Sequence, residues 1–357
     1  MTTDQLEGVI KIIKGNGLVI LPTDTVYGFF TRAFNDTAFK CLESIKRSRH
    51  TPYSITFNNT ASMLDWYGKV DLVRMQIIGE LTPGPVTMVL PYNDAVPDNY
   101  RYPSQGAGLR VSSNKVLNQV MDNLDFPLWS TSANRAGGRA PVRYDEIDPS
   151  ILKEVDAVID DGETDYLRSS DVIDLRSRPF TSIREGPWHD KIQQILSKSE
   201  DTFYIVVVCT GNLCRSPLAE ALIRKNIDAI PNANVNVQSA GVYAVGGSPA
   251  TDEMIVQGSR LSVDLSAHAA RAVTNDLIAR AGLILTVSSR HTDMIISSNP
   301  QASQKTRLLG EFLGLDEIPD PYQLGDAAYR QAADLIAQVV DSWSGEFRDA
   351  FSEADSA

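Results

Sequence analysis

The chain has 357 residues, 43% of them hydrophobic, and a formal net charge of −12. At about 150 residues per domain, this length predicts two compact units, and the acidic balance, −3 up to residue 198 and −9 beyond it, argues against a nucleic-acid-binding face and against DNA as a partner. No apolar run reaches the ~18 residues of a membrane span, and the opening MTTDQLEG has no charged region leading into an apolar stretch, so the expectation is a cytoplasmic chain with no membrane association.

Asp4 to Lys14 has the spacing of an amphipathic helix, Gly17 to Leu21 that of a buried strand and Asp36 to Lys46 that of a second helix, an α/β alternation. LVILPTDTVYGF sets Pro22, Thr23, Asp24, Thr25, Tyr27 and Gly28 directly after the buried strand, where open α/β sheets bind ligands. Lys46, Arg47 and Arg49 then cluster ahead of Pro52. Such a cluster suits a triphosphate, and it equally suits a solvated helix end. A strand at Val86 to Leu90, another at Gly108 to Val111 carrying Arg110, and a Ser/Gly/Pro-rich loop from Ser130 to Pro141 follow. Beyond them lie SSDVIDL with Ser170 and SIREG with Arg184.

In that order, the LPTDTVYG segment, the basic cluster, LTPGPVTMVL, GLRV, WSTSANRAGG, SSDVIDL and SIREG resemble the YrdC/TsaC family of threonylcarbamoyl-AMP synthases over residues 5 to 195. The resemblance implies a twisted mixed sheet with a large pocket, in an α/β domain spanning 1–198. It implies the conversion of L-threonine, bicarbonate and ATP to threonylcarbamoyl-AMP and pyrophosphate, the first step of making N6-threonylcarbamoyladenosine in tRNA. Thr25, Arg110 and Ser130 fall at the family's threonine-binding positions, where a guanidinium fork suits a carboxylate. Lys46, Arg49, Ser132, Asn134, Ser170 and Arg184 fall at its ATP-binding positions. Magnesium accompanies the nucleotide, no protein-held metal is implied, and the tRNA threonylcarbamoyl-transfer machinery is the implied partner. The chain departs from the family pattern in Lys46-Arg47-Ser48-Arg49, which runs one residue short before Pro52, in Ala140 where serine is common, and in Phe29 where leucine is usual.

The polar stretch Ser197 to Thr202 breaks the pattern, and the apolar run Tyr204 to Cys209 opens a fresh strand, placing a second domain at 203–345. In VVVCTGNLCRSPLAEA, Cys209 and Arg215 bracket a loop between that strand and a helix for which Ser216 is the expected N-cap and Pro217 lies in the first turn. Inward-facing amides of Thr210, Gly211, Asn212, Leu213 and Cys214, with the helix N-terminus, suit a phosphate dianion. Gly211 is expected to let the backbone close up. The same positive field favours the thiolate of Cys209, and Arg215 grips two phosphoryl oxygens in a planar fork. Asp320, in IPDPYQLG, is the candidate acid for the leaving oxygen, and Ser216 a hydrogen-bond donor to the thiolate.

These residues, with SAGVYA at Ser239 to Ala244 and Asp320-Pro321-Tyr322, resemble the low-molecular-weight protein tyrosine phosphatase family over residues 203 to 343. The resemblance implies a doubly wound parallel sheet, hydrolysis of a phosphoprotein through a phosphocysteine, and no cofactor. Arsenate reductases share the fold and loop, but their thioredoxin-coupled members relay oxidation through later cysteines, and none follows Cys214 here. The family likeness also allows a protective disulfide between Cys214 and Cys209; a packed inert thiol is the alternative. Leu213 favours phosphotyrosine, whereas SAGVYA and the single Tyr322 look similar to the bacterial branch that includes arginine phosphatases. Tyr243 and Tyr322 are candidates to flank an aromatic substrate ring. Three cysteines, with Cys41, are too few for a disulfide framework, and the four histidines lack zinc-ligand spacing. The last residues, SGEFRDAFSEADSA, small, acidic and weakly periodic, read as a frayed helix end and a disordered tail over 346–357. The departures in the first half leave an alternative open, in which that domain is a nucleotide- or threonine-binding regulatory module on the phosphatase.

Overall fold

The structure, a computed structural model, describes residues 1–46, 53–102, 105–200 and 202–352. Two compact units emerge, Met1–Val70 with Ile77–Ser197, and Lys198–Ala357 with the short segment Asp71–Gln76.

In the first unit, helix Thr3–Lys14 starts on a reciprocal cap in which the Thr2 hydroxyl accepts from Gln5 N and the Gln5 side chain accepts from Thr2 N. Its Val9 and Ile13 pack with Val19, Leu21, Phe30, Leu117 and Val120 in a buried cluster. The strands are β1 (Val19–Leu21), β2 (Gly28–Arg32), β3 (Ser54–Phe57), β4 (Val86–Leu90), β5 (Ala107–Val111), β6 (Leu128–Ser132), β7 (Ala157–Val158), β8 (Asp171–Asp174) and β9 (Thr181–Arg184). Among the described residues they form one sheet in the order β7-β1-β2-β6-β3-β5-β4-β8-β9. Three parallel pairs (β1 with β7, β3 with β5, β4 with β8) are interspersed among five antiparallel ones, giving the mixed sheet expected. The loop expected from Ser130 begins later, because Ser130 to Ser132 complete β6, Ser130 pairing with Phe30 and Ser54.

The second unit holds a wholly parallel sheet of β10 (Phe203–Cys209), β11 (Val235–Gly241), β12 (Leu283–Thr286) and β13 (Thr306–Leu308), in the order β11-β10-β12-β13. The chain steps from β10 to one side and then crosses to the other. The C-terminal end of β10 is therefore a topological switch point, the place where open parallel sheets receive ligands, and Cys209 stands there.

Three local readings change. Helix His189–Glu200 runs through most of the polar stretch expected to break the chain, since Lys and Glu are good helix formers by propensity. Helix Arg215–Asp228 has Cys214 at its N-cap with no side-chain cap, because the Ser216 hydroxyl turns to the Cys209 sulfur instead. The tail expected from residue 346 instead begins inside a helix, Ser344–Phe351; residues 353–357 lie outside the described residues. Trp343, Phe347 and Phe351 recur every fourth residue, so their rings share one helix face. Phe347 stacks between the other two at 5.9 and 6.5 Å, and Phe351 meets Phe203 at 5.1 Å. Phe347→Ala is expected to destabilise the second unit by about 3–5 kcal/mol, read in denaturant unfolding of the full chain; an unchanged transition would return this segment to a passive tail.

Candidate functional sites

The site of the second unit is built around one sulfur. Cys209 is buried, and its Sγ lies 2.9 Å from Ser216 Oγ and accepts from Asn212 N at 3.3 Å. Asn212 makes that possible by adopting a left-handed backbone (φ 56°), a conformation costly for most residues that asparagine, after glycine, tolerates better than others. Four bonds hold it there. Its Nδ2 donates to Ser216 Oγ (3.0 Å) and Ser239 Oγ (2.8 Å), its Oδ1 accepts from Arg271 N (2.9 Å), and its carbonyl accepts from His268 Nε2 (2.7 Å). Ser239 in turn donates to Glu220 at 2.6 Å. The close backbone approach expected of Gly211 belongs elsewhere. A Cβ on Gly211 would meet only Leu213 at 3.6 Å, whereas one on Gly241 of β11 would sit 2.6 Å from Thr210 O and 2.8 Å from Asn212 N.

Arg215 is almost wholly buried and donates to Ile318 O (3.1 Å), to Thr210 Oγ1 (3.4 Å) and to the Asp320 carboxylate. The fold thus brings together Cys209, Arg215 and Asp320, and Asp320 stays half-exposed. Around them, Tyr243 N donates to Thr210 O and Tyr322 N to Asp320 Oδ1. Tyr243 (64% exposed), Val245 (74%), Tyr322 (49%) and Leu324 (68%) give these two loops an apolar surface. The Cys214 sulfur is buried near Thr251 Oγ1 and Tyr329 Oη, and burial pushes its thiol pKa up. All three cysteines are free thiols. Sequence reasoning missed Asn212 as an anchor, gave Ser239 and Glu220 no role although both stand in motifs it singled out, and missed His268 and His291 altogether. No short spacing links them.

In the first unit a cavity of about 480 Å³ lies over the sheet. It is lined by Thr25, Arg110, Ser130, Ser132, Ser170 and Arg184 of the expected residues, together with Thr23, Tyr53, Thr56, Thr87, Gln105 and Arg176. Arg110 donates to Asp24 and, at 2.7 Å, to Thr25 Oγ1. Its buried Nε has no partner among the described residues, a donor left for a ligand. Asp24, fully buried, also accepts from Ser112 Oγ (2.9 Å) and from Ser113 N and Oγ (both 3.2 Å). Ser130 Oγ shares a 2.6 Å bond with Thr56 Oγ1.

Arg184 donates to Ser170 O and Oγ, both at 2.9 Å, and burial with neighbouring Arg110 lowers its pKa. Lys46 and Asn134, also expected here, are not among the residues that line the cavity, although both bond to Ser132, which does. Lys46 Nζ donates to Ser132 O (3.0 Å) and Asn134 O (2.8 Å), and burial lowers its pKa to about 8. The atypical Phe29 places its ring 6.0 Å from that ammonium, at the limit of a cation–π contact. Arg49, with Arg47 and Pro52, lies outside the described residues. Among the described residues, no group of three or more His, Cys, Asp or Glu converges as a metal site, and no helix is long and apolar enough to cross a membrane.

A buried thiol facing an amide, backed by an arginine and an aspartate at a parallel-sheet switch point, defines a cysteine-dependent phosphatase fold; the mixed sheet with its hydroxyl- and cation-lined cavity defines a second class of domain. The family model Sua5_yciO_yrdC, described as telomere recombination, matches residues 11–186, and that of the low molecular weight phosphotyrosine protein phosphatases matches residues 204–352. A Methanocaldococcus jannaschii protein described as "Putative threonylcarbamoyl-AMP synthase" is 34% identical over 182 residues, 51% of this chain and 85% of its own length. The low molecular weight protein-tyrosine-phosphatase Etp of Escherichia coli K12 is 34% identical over 140 residues, 39% of this chain and 91% of its own. Among solved structures, the arginine phosphatase YwlE of Geobacillus stearothermophilus is 33% identical, covering 41% of this chain and 94% of its own, with a TM-score of 0.38. The chain belongs to the Sua5/YciO/YrdC family in its first half and to the low molecular weight phosphotyrosine protein phosphatase family in its second.

The Asp24–Arg110 pair is the element of the cavity most sensitive to change. Asp24→Ala leaves a buried guanidinium uncompensated and is expected to cost about 3–5 kcal/mol in chemical denaturation; a loss below 1 kcal/mol would mean that solvent replaces the carboxylate.

Proposed function

We propose that the chain is a bifunctional enzyme, a threonylcarbamoyl-AMP synthase in its first unit and a protein phosphotyrosine phosphatase in its second. The observation that carries the phosphatase half is the convergence of Cys209, Arg215 and Asp320 about one anion cradle. In this reading the Cys209 thiolate attacks phosphorus, the bond to the leaving oxygen breaks, and Asp320 supplies the proton that oxygen needs. As the phosphoryl group takes the guanidinium, Asp320 is released from its contact with Arg215. Water then attacks the phosphocysteine, giving its proton to the Asp320 carboxylate and returning the thiolate and inorganic phosphate. The exposed rings of Tyr243 and Tyr322, and aliphatic Leu213, support phosphotyrosine over phosphoarginine.

For the first unit, the support is an anion-binding cavity whose donors match an amino acid and a nucleotide. The free Nε of Arg110 suits the threonine carboxylate, with Thr25 and Ser130 beside it. Ser170, Arg184, Lys46, Ser132 and Asn134 would hold ATP, with magnesium as the nucleotide's counter-ion. Threonine and bicarbonate combine to a carbamate with loss of water, and the carbamate oxygen displaces pyrophosphate from the α-phosphorus. This product would pass to the machinery that modifies tRNA.

Three outcomes test these assignments. Cys209→Ser is expected to abolish phosphatase turnover, while Asp320→Ala slows aryl phosphates with poor leaving groups about 10²-fold and those with good ones far less. Equal slowing would remove Asp320 from the acid role. The Cys209→Ser chain, given threonine, bicarbonate, ATP and magnesium, should release pyrophosphate; its silence would support a regulatory binding module instead. Lys46 attracts phosphate only when protonated, so the KM for ATP should rise as pH climbs past about 8, by up to about tenfold per pH unit. Lys46→Met should flatten that rise.

A further inference from the structure

We infer that His291 is a positioning residue for Arg215, acting through the Thr210 hydroxyl; the inference rests on the phosphatase reading above. His291 lies on helix Ser289–Ser298 and is 5% exposed. Its Nδ1 meets Ser288 Oγ at 2.6 Å and its Nε2 meets Thr210 Oγ1 at 3.0 Å. Thr210 Oγ1 is in turn the acceptor for Arg215 Nη2 at 3.4 Å. A guanidinium only donates, so the Thr210 oxygen serves it as acceptor whichever way the protons run through the imidazole.

Arg215 has three partners here, and the reaction redirects one of them. When Asp320 turns to the leaving oxygen, Ile318 O and Thr210 Oγ1 are what remain to aim the guanidinium. The Ile318 carbonyl is fixed by the main chain, whereas the Thr210 hydroxyl rotates freely unless something pins it, and His291 does so. The chemistry of the pin matters. A carboxylate at this place would compete with the phosphoryl group for the charge of Arg215, and a neutral imidazole does not. Burial, with the nearby Arg215 and Arg290, holds the His291 pKa down to about 4 against the opposite pull of Asp320, so the ring is uncharged at neutral pH. The chain Ser288, His291, Thr210 thus orients Arg215 before substrate arrives, without spending its charge.

The test is a double-mutant cycle on the full chain, with p-nitrophenyl phosphate as substrate and orthovanadate as the transition-state-like inhibitor. His291→Phe and Thr210→Val should each weaken vanadate inhibition about tenfold. The double variant should be no weaker than either, because both cut the same chain. Thr210→Ser, which keeps the hydroxyl, should retain the wild-type inhibition constant. Additive losses would overturn the inference, as would a His291→Phe protein that loses thermal stability yet binds vanadate normally. Should His291→Phe not fold, His291→Gln takes its place in the cycle, and its smaller loss must likewise vanish in the Thr210→Val background. A wild-type chain unable to hydrolyse p-nitrophenyl phosphate would defeat the phosphatase reading itself; an active wild type whose His291 and Thr210 variants are inhibited by vanadate as strongly as it is defeats only the role of His291.

Discussion

The second unit depends on one amide aimed at one sulfur. The amide of Asn212 reaches the Cys209 Sγ because Asn212 holds a left-handed backbone, which for an ordinary residue costs about 1–2 kcal/mol. The surrounding structure offsets that cost with four bonds from three separate places: the helix at Ser216, β11 at Ser239, and the segment carrying His268 and Arg271. Each bond alone contributes modestly, but together they tie the loop's conformation to the parallel sheet. The cradle therefore does not have to be organised by its ligand. That is the condition under which amide dipoles stabilise charge without reorganising.

The first unit handles negative charge differently. Its cavity is broad, and its cations are spread along the sheet instead of converging on one atom. Strand pairing explains the spread. Thr56 pairs with Arg110 across β3 and β5, and Val172 with Arg184 across β8 and β9, so Arg110 and Arg184 arise from different parts of one sheet. Asp24 anchors the first of them at 0% exposure, and four donors on its carboxylate, from the Arg110 guanidinium, the Ser112 hydroxyl and the amide and hydroxyl of Ser113, let that charge stay buried. Behind the cavity-lining Ser132, Lys46 is held by two carbonyls and desolvated. A long substrate with separated charges fits such a cavity, whereas a compact dianion fits the cradle of the second unit.

Much of this organisation was legible in the amino-acid order. Apolar runs and helical spacing located the helix at Asp36–Lys46 and the strand at Val86–Leu90, because their periods are local properties of the chain. The strand, loop and helix about Cys209 and Arg215 were readable for the same reason. Sequence also pointed to Asp320, although only through the likeness of a distant Asp-Pro pair to a known family. Where composition stood in for periodicity the reading fell short: Ser344–Phe351 looked like a fraying helix end running into a small acidic tail, yet Trp343, Phe347 and Phe351 put their rings on one buried face.

The amino-acid sequence by itself determined the two-unit plan, the strand-loop-helix setting of Cys209 and Arg215, and the order of the cavity's motifs, since each follows from patterns within a few residues. Tertiary structure alone decided which side chains hold them. Asn212 meets Ser239, Arg215 meets Ile318 and Asp320, Thr210 meets His291, and Asp24 meets Ser113 across gaps of dozens of residues. Strand order and crossover direction set those meetings, and neither propensity nor spacing encodes them, because a hydrogen bond depends on distance in space and the local chain carries no record of that distance.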